Sequence, residues 1–162
     1  MRRLLLSLPL LALVQAAAAQ TIEGRIVAVA DGDSLTVAAD KDKKRHRVRL
    51  AEIDAPELKQ PFGAESRKAL AEICLKKPAV IEIIETDANK RLIARVKCAD
   101  VDANVEQVRR GMAWVRAGKI LPNSPLYEME TNARLRAIGL WAGDKPEPPW
   151  EWRKRQAAAA KK

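Results

Sequence analysis

The chain has 162 residues, of which 48% are hydrophobic and 31% are charged, and 30 basic against 21 acidic side chains give it a formal net charge of +9. This length provides one domain with a hydrophobic core and excludes two domains of ordinary size. The positive charge favours a polyanionic partner, either nucleic acid or an anionic membrane surface, although surplus lysine that keeps a protein in solution gives the same balance.

The first 19 residues are predicted to be a secretory signal peptide. Arg2 and Arg3 supply a basic start, residues 4–14 are mostly apolar, and the alanines at 17–19 supply small side chains for cleavage. The apolar stretch is too short to span a bilayer comfortably, and no second one follows in the sequence. We therefore expect cleavage after Ala19 and an exported protein, periplasmic or secreted, without stable membrane insertion.

Three strands are predicted at the start of the exported chain. The stretches IEGRIVAVA and SLTVAA are apolar and rich in β-branched residues, and the Asp31-Gly32 pair between them is typical of a hairpin turn. A charged loop leads into a third strand, His46 to Ile53. Pro56 then prevents the strand from continuing, because proline cannot donate a hydrogen bond to a sheet.

A helix and two further strands are predicted next. From Ala64 to Lys76, the spacing of the apolar residues gives one buried helical face, formed by Ala69, Leu70, Ile73 and Cys74. The stretches AVIEIIE and RLIARVKC are predicted to be strands. The second of them alternates apolar and basic side chains with the period of a pleated sheet.

Two more helices and an irregular tail complete the predicted elements. The second helix is predicted from Val101 to Met112. The third follows Ser124 as its N-cap, with a proline at the first helical position, and ends near Gly139. The prolines of residues 143–162 predict no regular structure in this tail, and its Ala/Lys end is expected to be disordered.

Five short strands with helices packed to one end predict a mainly β, α+β domain: a five-stranded barrel of the OB type with three α-helices. Residues 20–142 are assigned to this domain and residues 143–162 to the tail. Barrels of this type often bind oligonucleotides, and the residues that distinguish one function from another are expected at the strand ends.

The sequence contains two cysteines, Cys74 and Cys98, which could form a disulfide. In an exported protein they meet oxidising conditions, where a disulfide would close a loop of about 25 residues and contribute roughly 3 kcal/mol in the chain-entropy model. Two buried thiols that pack as small hydrophobes are the alternative. Their spacing fits no metal-binding motif.

Three aspartates stand at strand ends. Asp31 is explained by the hairpin turn, but that turn does not need Asp33, and Asp54 follows the neighbouring strand. If the third strand pairs beside the hairpin, Asp33 and Asp54 converge. Two carboxylates with a backbone carbonyl and water suit a hard cation such as Ca²⁺. So few protein ligands predict weak binding that a substrate phosphate completes.

Arg49 and Arg91 are candidate phosphate-binding residues, because the planar guanidinium group matches two phosphate oxygens at a time and stays charged. Glu57 lies near the same acids, and a carboxylate there can accept a proton from an attacking water or orient it. Arg49 and Asp54 are an odd number of residues apart, so a regular strand would point them to opposite faces. The strand must therefore end or bulge before Asp54.

Four motifs in one order, VADGDSLTV, VRLAEIDAPE, PFGAES and PWEWR, extend over nearly all of the exported chain. Together they resemble the thermonuclease, or staphylococcal nuclease, family of Ca²⁺-dependent phosphodiesterases. The resemblance implies a five-stranded OB barrel with three helices. It also implies in-line attack of water on phosphorus, with cleavage of the bond to the 5′ oxygen and 3′-phosphate products.

The resemblance also implies roles for particular residues. Asp33 and Asp54 would bind the calcium ion, and the carbonyl of Ala55 would be a further ligand. Glu57 would act as the general base or position the water. These roles agree with the chemistry proposed from the residues themselves.

The phosphate-binding pair implied by the resemblance is Arg49 and Arg91, and Asp87 precedes Arg91 with the spacing of the family's second arginine motif. This chain departs from the family at three places, one of them the conservative Ser34 where the family commonly has threonine. It has Asn89-Lys90-Arg91 where the family usually has Tyr-Gly-Arg, so a tyrosine and a turn glycine are missing. The stretch MAWVRAGKILPN lacks the family's nucleotide-stacking tyrosines, and Trp114 within it is interpreted as a core residue.

The leading hypothesis is an exported, monomeric endonuclease that uses Ca²⁺ and hydrolyses DNA and RNA with little sequence specificity, single strands being preferred. A barrel that binds nucleic acid without hydrolysis is the alternative. A basic barrel that binds an anionic surface or a protein partner would explain the charge but not the cluster of acids. Retention of Arg49, Glu57 and Arg91 beside two aspartates favours the nuclease.

Overall fold

The computed structural model of the protein describes residues 20–116, 118, 120 and 123–160. The predicted signal peptide lies outside these residues. The strands are β1 Thr21–Val29, β2 Ser34–Ala39, β3 Arg45–Leu50, β4 Ile53–Asp54, β5 Pro78–Thr86, β6 Leu92–Cys98, β7 Val101–Asp102 and β8 Trp114–Val115. The helices are α1 Gly63–Cys74, α2 Ala103–Arg109, α3 Pro125–Leu135 and α4 Pro149–Ala159, with a 3₁₀ turn at Gly139–Ala142.

The five long strands close into a barrel. Neighbours in the order β3-β2-β1-β5-β6 are antiparallel, and β3 then pairs in parallel with β6 to complete the circle. Apolar side chains alternate into the interior along each strand, as the pleat requires. The most deeply buried of them are Ile26, Val37, Val48, Ile81 and Val96. The predicted five-stranded α+β barrel of the OB type is therefore confirmed.

Helix α1 packs against the barrel with the predicted face, and Ala69, Leu70, Ile73 and Cys74 are buried. Cys74 ends α1 and Cys98 ends β6, and the two form a disulfide within the core. The alternative of two free thiols is therefore wrong. The bond joins the first helix covalently to the strand that closes the barrel.

Helix α4 corrects the prediction that the tail has no regular structure. Of the three prolines that suggested irregularity, Pro146 and Pro148 precede the helix, and Pro149 occupies its first position, where the missing N–H costs nothing. The residues after them, WEWRKRQAAA, are mostly good helix formers. Residues 20–160, apart from the undescribed positions among them, thus contain four α-helices where three were predicted. None of the helices in the described part of the chain is long and apolar enough to cross a bilayer.

Candidate active site

The corner between β3 and β4 places Arg49 and Asp54 together. Strand β3 ends at Leu50, and the chain turns through Glu52, whose φ of 68° lies in the left-handed region, before β4 begins. The strand therefore ends before Asp54, as the odd spacing required. The break brings the guanidinium Nη2 of Arg49 within 2.9 Å of Asp54 Oδ1.

Asp33 reaches the same guanidinium from the β1–β2 turn. Its backbone N–H donates to the Asp31 side chain at 3.0 Å, which confirms a turn role for Asp31. Its carbonyl accepts a hydrogen bond from Leu50 N, so that the turn is fixed to the end of β3. Arg49 Nη2 lies 3.3 Å from Asp33 Oδ2, and Ala55 N donates to the same oxygen at 3.0 Å. The two aspartates thus converge on one nitrogen atom.

Both aspartates are buried, with side-chain exposures of 8% for Asp33 and 1% for Asp54. Burial raises the pKa of the Asp33 carboxyl to about 7, although the nearby Arg49 guanidinium opposes the shift. An additional positive charge at this position would favour the ionised carboxylate. Burial therefore disfavours the charged form of Asp33 unless a further cation lies beside it.

Two buried amides of α2 hold the corner in place. Asn104 donates from Nδ2 to the carbonyl of Ala51, and its Oδ1 accepts from Val96 N on β6. Gln107 donates from Nε2 to the carbonyl of Gly32 at 2.6 Å, one residue before Asp33. Helix α2 thus fixes the backbone beside Asp33 and the backbone that leads to Asp54.

Gly32 is needed because helix α1 approaches the turn closely. A Cβ at this position would collide with the side chain of Ser66 and lie 2.7 Å from the Ala55 Cβ. Ser66 is fully buried, and its hydroxyl donates to the Met112 carbonyl, so it has no room to retreat.

We expect Gly32→Ala to lower the free energy of unfolding by about 2 kcal/mol, as overpacking of a dense core does. Urea denaturation measures the change. Gly143→Ala is the matched control, because its added Cβ would meet the nearest atom at 3.6 Å, an ordinary contact. Equal stability of the two variants would show that the turn and α1 separate easily.

Glu57 lies beside Asp54 and contacts Arg153, the last residue of the PWEWR motif, to which the sequence analysis assigns no role. Arg153 of α4 donates from Nη1 to Glu57 Oε1 at 2.8 Å and from Nη2 to Asp54 Oδ2 at 2.7 Å. A third hydrogen bond joins Nη1 to Asp54 Oδ1 at 3.1 Å. The backbone N–H of Glu57 donates to Gln60, which stabilises the loop that carries the carboxylate.

Arg91 lies at the other end of this region. It shares with Arg49 the lining of a cleft of about 400 Å³, which also includes Arg116. Its Nε donates to Asp87 Oδ2 at 2.8 Å, and its ion pair is with this residue and not with the buried aspartates. A hydrogen bond from the Arg91 backbone lowers the pKa of Asp87. The structure therefore places both arginines in one cleft.

The turn before Arg91 keeps a left-handed residue without the family's glycine. Lys90 has a φ of 58°, and Asp87 accepts hydrogen bonds from the backbone of both Asn89 and Arg91. These bonds compensate for a conformation that side chains with a Cβ adopt at a cost. Trp114 is 3% exposed and packs edge-on against Trp141, with ring centroids 5.2 Å apart, which confirms it as a core residue.

The chemistry of the donor set fits a hard cation. Among the described residues, no group of three or more His, Cys, Asp and Glu side chains is arranged to hold a metal ion, so a bound ion would depend on the aspartate pair, a backbone carbonyl and water. The guanidinium of Arg153 already sits against Asp54 and Glu57 as a positive charge. This shows that the carboxylates attract a cation in that position.

The sequence reasoning missed Asn104, Gln107 and Arg153. The two amides carry no signal of their own, because buried and exposed amides look alike in a single sequence. Arg153 had a signal that was misinterpreted, since a double proline followed by strong helix formers is typical of a helix start.

Comparison with known proteins gives a consistent result. The family described as "Staphylococcal nuclease homologue" matches residues 47–143. A protein of Haemophilus influenzae named "Uncharacterized endonuclease" is 39% identical over 133 residues, which cover 82% of this chain and 73% of that protein. The "Micrococcal nuclease" of Shigella flexneri is 32% identical over 141 residues, covering 81% of this chain and 80% of that protein.

Proposed function

The chain belongs to the family of staphylococcal nuclease homologues and is an endonuclease, and on that premise we propose that it cleaves DNA and RNA with the help of one Ca²⁺ ion. The ion would be held by the carboxylates of Asp33 and Asp54 and by the carbonyl of Ala55. Glu57 would activate the attacking water. Arg49 and Arg91 would bind the scissile phosphate.

The observation that supports this proposal most is the meeting of two buried aspartates at one guanidinium nitrogen, with Glu57 joined to Asp54 through Arg153. Burying acidic groups is costly unless positive charge compensates them. A site that serves only to bind nucleic acid has no need of buried acids that repel phosphate. A site that binds a cation beside the phosphate does need them.

In the proposed reaction, Arg49 and Arg91 hold the phosphate oxygens and neutralise charge that grows in the transition state. A bound ion, held by Asp33, Asp54 and the Ala55 carbonyl, would supply further positive charge beside the phosphate. Water attacks phosphorus in line and gives a proton to the Glu57 carboxylate as the new P–O bond forms. The bond to the 5′ oxygen breaks, that oxygen takes up a proton, and a 3′-phosphate remains.

The proposed contacts are to the backbone of the substrate. Arginine contacts to phosphate carry no sequence information directly, so little sequence specificity is expected. Arg116 adds a third basic side chain to the cleft that Arg49 and Arg91 line. Single strands should be preferred, because in-line attack needs access to the phosphate. The protein is proposed to act as a monomer.

Export to the periplasm or the medium is also part of the proposal. The Cys74–Cys98 disulfide supports it, because structural disulfides persist mainly in oxidising compartments. The basic, apolar and small-residue segments of residues 1–19 support it independently.

Chelation tests the cation requirement. We expect the purified protein to digest an oligonucleotide in the presence of Ca²⁺ and to lose at least about 99% of that activity in excess chelator, with recovery when Ca²⁺ is restored. Asp54→Asn should be inactive under both conditions. Asp100→Asn, which changes an exposed acid beyond the far end of β6, should behave as the wild type. Cleavage unaffected by chelation would remove the cation from the mechanism.

A further inference from the structure

Arg153 makes the strongest contacts at the site that the proposed reaction leaves without a role. Its two terminal nitrogens donate three hydrogen bonds, two to Asp54 and one to Glu57. The residue lies 99 positions beyond Asp54 in the chain and belongs to α4, which is outside the barrel. The contact is therefore a tertiary one, made by the end of the chain with the site.

The contact occupies the lone pairs that a calcium ligand needs. Asp54 Oδ2 accepts from Arg153 at 2.7 Å, and Oδ1 accepts from both Arg49 and Arg153. Calcium binds carboxylate oxygens at about 2.3 to 2.6 Å, and three of the roughly four lone-pair positions of the Asp54 carboxylate already accept hydrogen bonds, two of them from Arg153. Two cations held at one carboxylate also repel each other. Arg153 and Ca²⁺ therefore compete for Asp54.

The two arginines at Asp54 differ in how easily they can withdraw. Arg49 belongs to a barrel strand, and its side chain is 15% exposed. The side chain of Arg153 is 40% exposed, so its guanidinium has a direct path into solvent once its hydrogen bonds break. Arg49 is thus a permanent partner of Asp54, whereas Arg153 is a displaceable one.

The start of α4 is anchored independently of Arg153. Gln60 donates from Nε2 to the Glu147 carbonyl, and Arg155 forms a 2.6 Å ion pair with the Glu147 side chain. The Arg155 guanidinium also lies 4.5 Å from the centre of the Trp152 ring. The contacts of Arg155 stiffen the start of α4, and the Gln60 contact ties it to the loop that follows Asp54, so Arg153 stays near the site after its guanidinium has been released.

We propose that Arg153 is an internal competitor for the calcium site: it occupies Asp54 and Glu57 in the metal-free protein and must leave before the ion binds. This inference rests on the calcium site of the proposed function. Binding of Ca²⁺ includes the cost of breaking the Arg153 contacts, so the apparent affinity is lower than the aspartates alone would give. Displacement also frees the Glu57 carboxylate.

Calcium titration of the protein alone, without substrate, tests the competition by isothermal titration calorimetry. We expect Arg153→Gln to bind Ca²⁺ about tenfold more tightly than the wild type, because charge-assisted hydrogen bonds that opposed binding are gone while solvent screens part of their strength. Arg153→Lys keeps the charge but loses the paired nitrogens, and its affinity should fall between the two. Thermal denaturation checks that all variants are folded.

Lys154→Gln is the matched control. It removes one positive charge from the same helix, and Lys154 is 81% exposed and pairs with Glu151 at 3.9 Å. Its calcium affinity should stay within about twofold of the wild type, since exposed charges contribute little. If Lys154→Gln and Arg153→Gln gained calcium affinity equally, the proposed competition would be overturned, because the general charge of the helix would then explain the effect.

The calcium titrations of these variants and of Asp54→Asn distinguish a failure of the proposed competition from a failure of the proposed calcium site. If Arg153→Gln binds Ca²⁺ no more tightly than the wild type, while Asp54→Asn abolishes binding, the proposed competition is wrong and the proposed calcium site is supported. If neither the wild type nor Arg153→Gln binds Ca²⁺, or if Asp54→Asn binds it normally, the calcium site is wrong and the proposed competition is wrong with it.

Discussion

Replacing Glu57 with glutamine is expected to lower the turnover number by about a hundredfold or more, a typical contribution of general-base catalysis. Glutamine has nearly the same shape as glutamate but cannot accept the proton of the attacking water. The Glu57 side chain is 41% exposed, so the substitution leaves no buried charge without a partner. The defect should therefore lie in the chemical step and not in folding.

Single-turnover digestion of an oligonucleotide, with the Michaelis constant measured alongside, tests this expectation. Because Arg49 and Arg91 are proposed to bind the phosphate, the Michaelis constant of Glu57→Gln should stay within a few fold of the wild type. Glu65→Gln, an exposed position on α1, serves as the control. A turnover number near that of the wild type would show that another group accepts the proton.

Removing the disulfide by replacing Cys74 and Cys98 with alanine is expected to lower the free energy of unfolding by about 3 kcal/mol. The bond closes a loop with a sequence separation of 24, and the chain-entropy model assigns roughly this value to a loop of that length. Both residues are fully buried, so some packing is lost as well. Urea denaturation under oxidising conditions measures the difference.

A reducing agent supplies the internal control for this prediction. It should bring the stability of the wild type close to that of the double alanine variant and leave the variant itself unchanged. If the variant unfolds at the same urea concentration as the oxidised wild type, the covalent link does not limit the unfolded chain in the way proposed.

Much of the fold was predictable because local patterns and tertiary packing agree. The alternation from Leu92 to Cys98 and the apolar face of α1 both reflect contact with a single core, and both predictions are confirmed. The prediction for the tail was wrong because it used only the number of prolines. Their positions, at and just before the first residue of α4, are those that a helix start tolerates. The chain end that was expected to be irregular carries a residue of the site.

The candidate site was predictable to a lesser extent. Asp33, Asp54 and Arg49 lie at strand ends, where a barrel brings neighbouring segments together, and their convergence follows from the pairing of β2 with β3. Asn104 and Arg153 reach this region from helices, across 53 and 99 positions of sequence. Contacts over such separations depend on how helices dock, which local periodicity does not encode.

The parallel pairing of β3 with β6 has a consequence for when the enzyme becomes active. Arg49 lies opposite Ile93 in this ladder, so the cleft that Arg49 shares with Arg91 exists only after the barrel has closed. Pairing of strands this distant in sequence is a slow step, because the loop between them must be ordered first. A growing or unfolded chain therefore has no complete cleft, and if Arg49 and Arg91 bind the phosphate as proposed, nucleic acids that the chain meets during synthesis are protected from it.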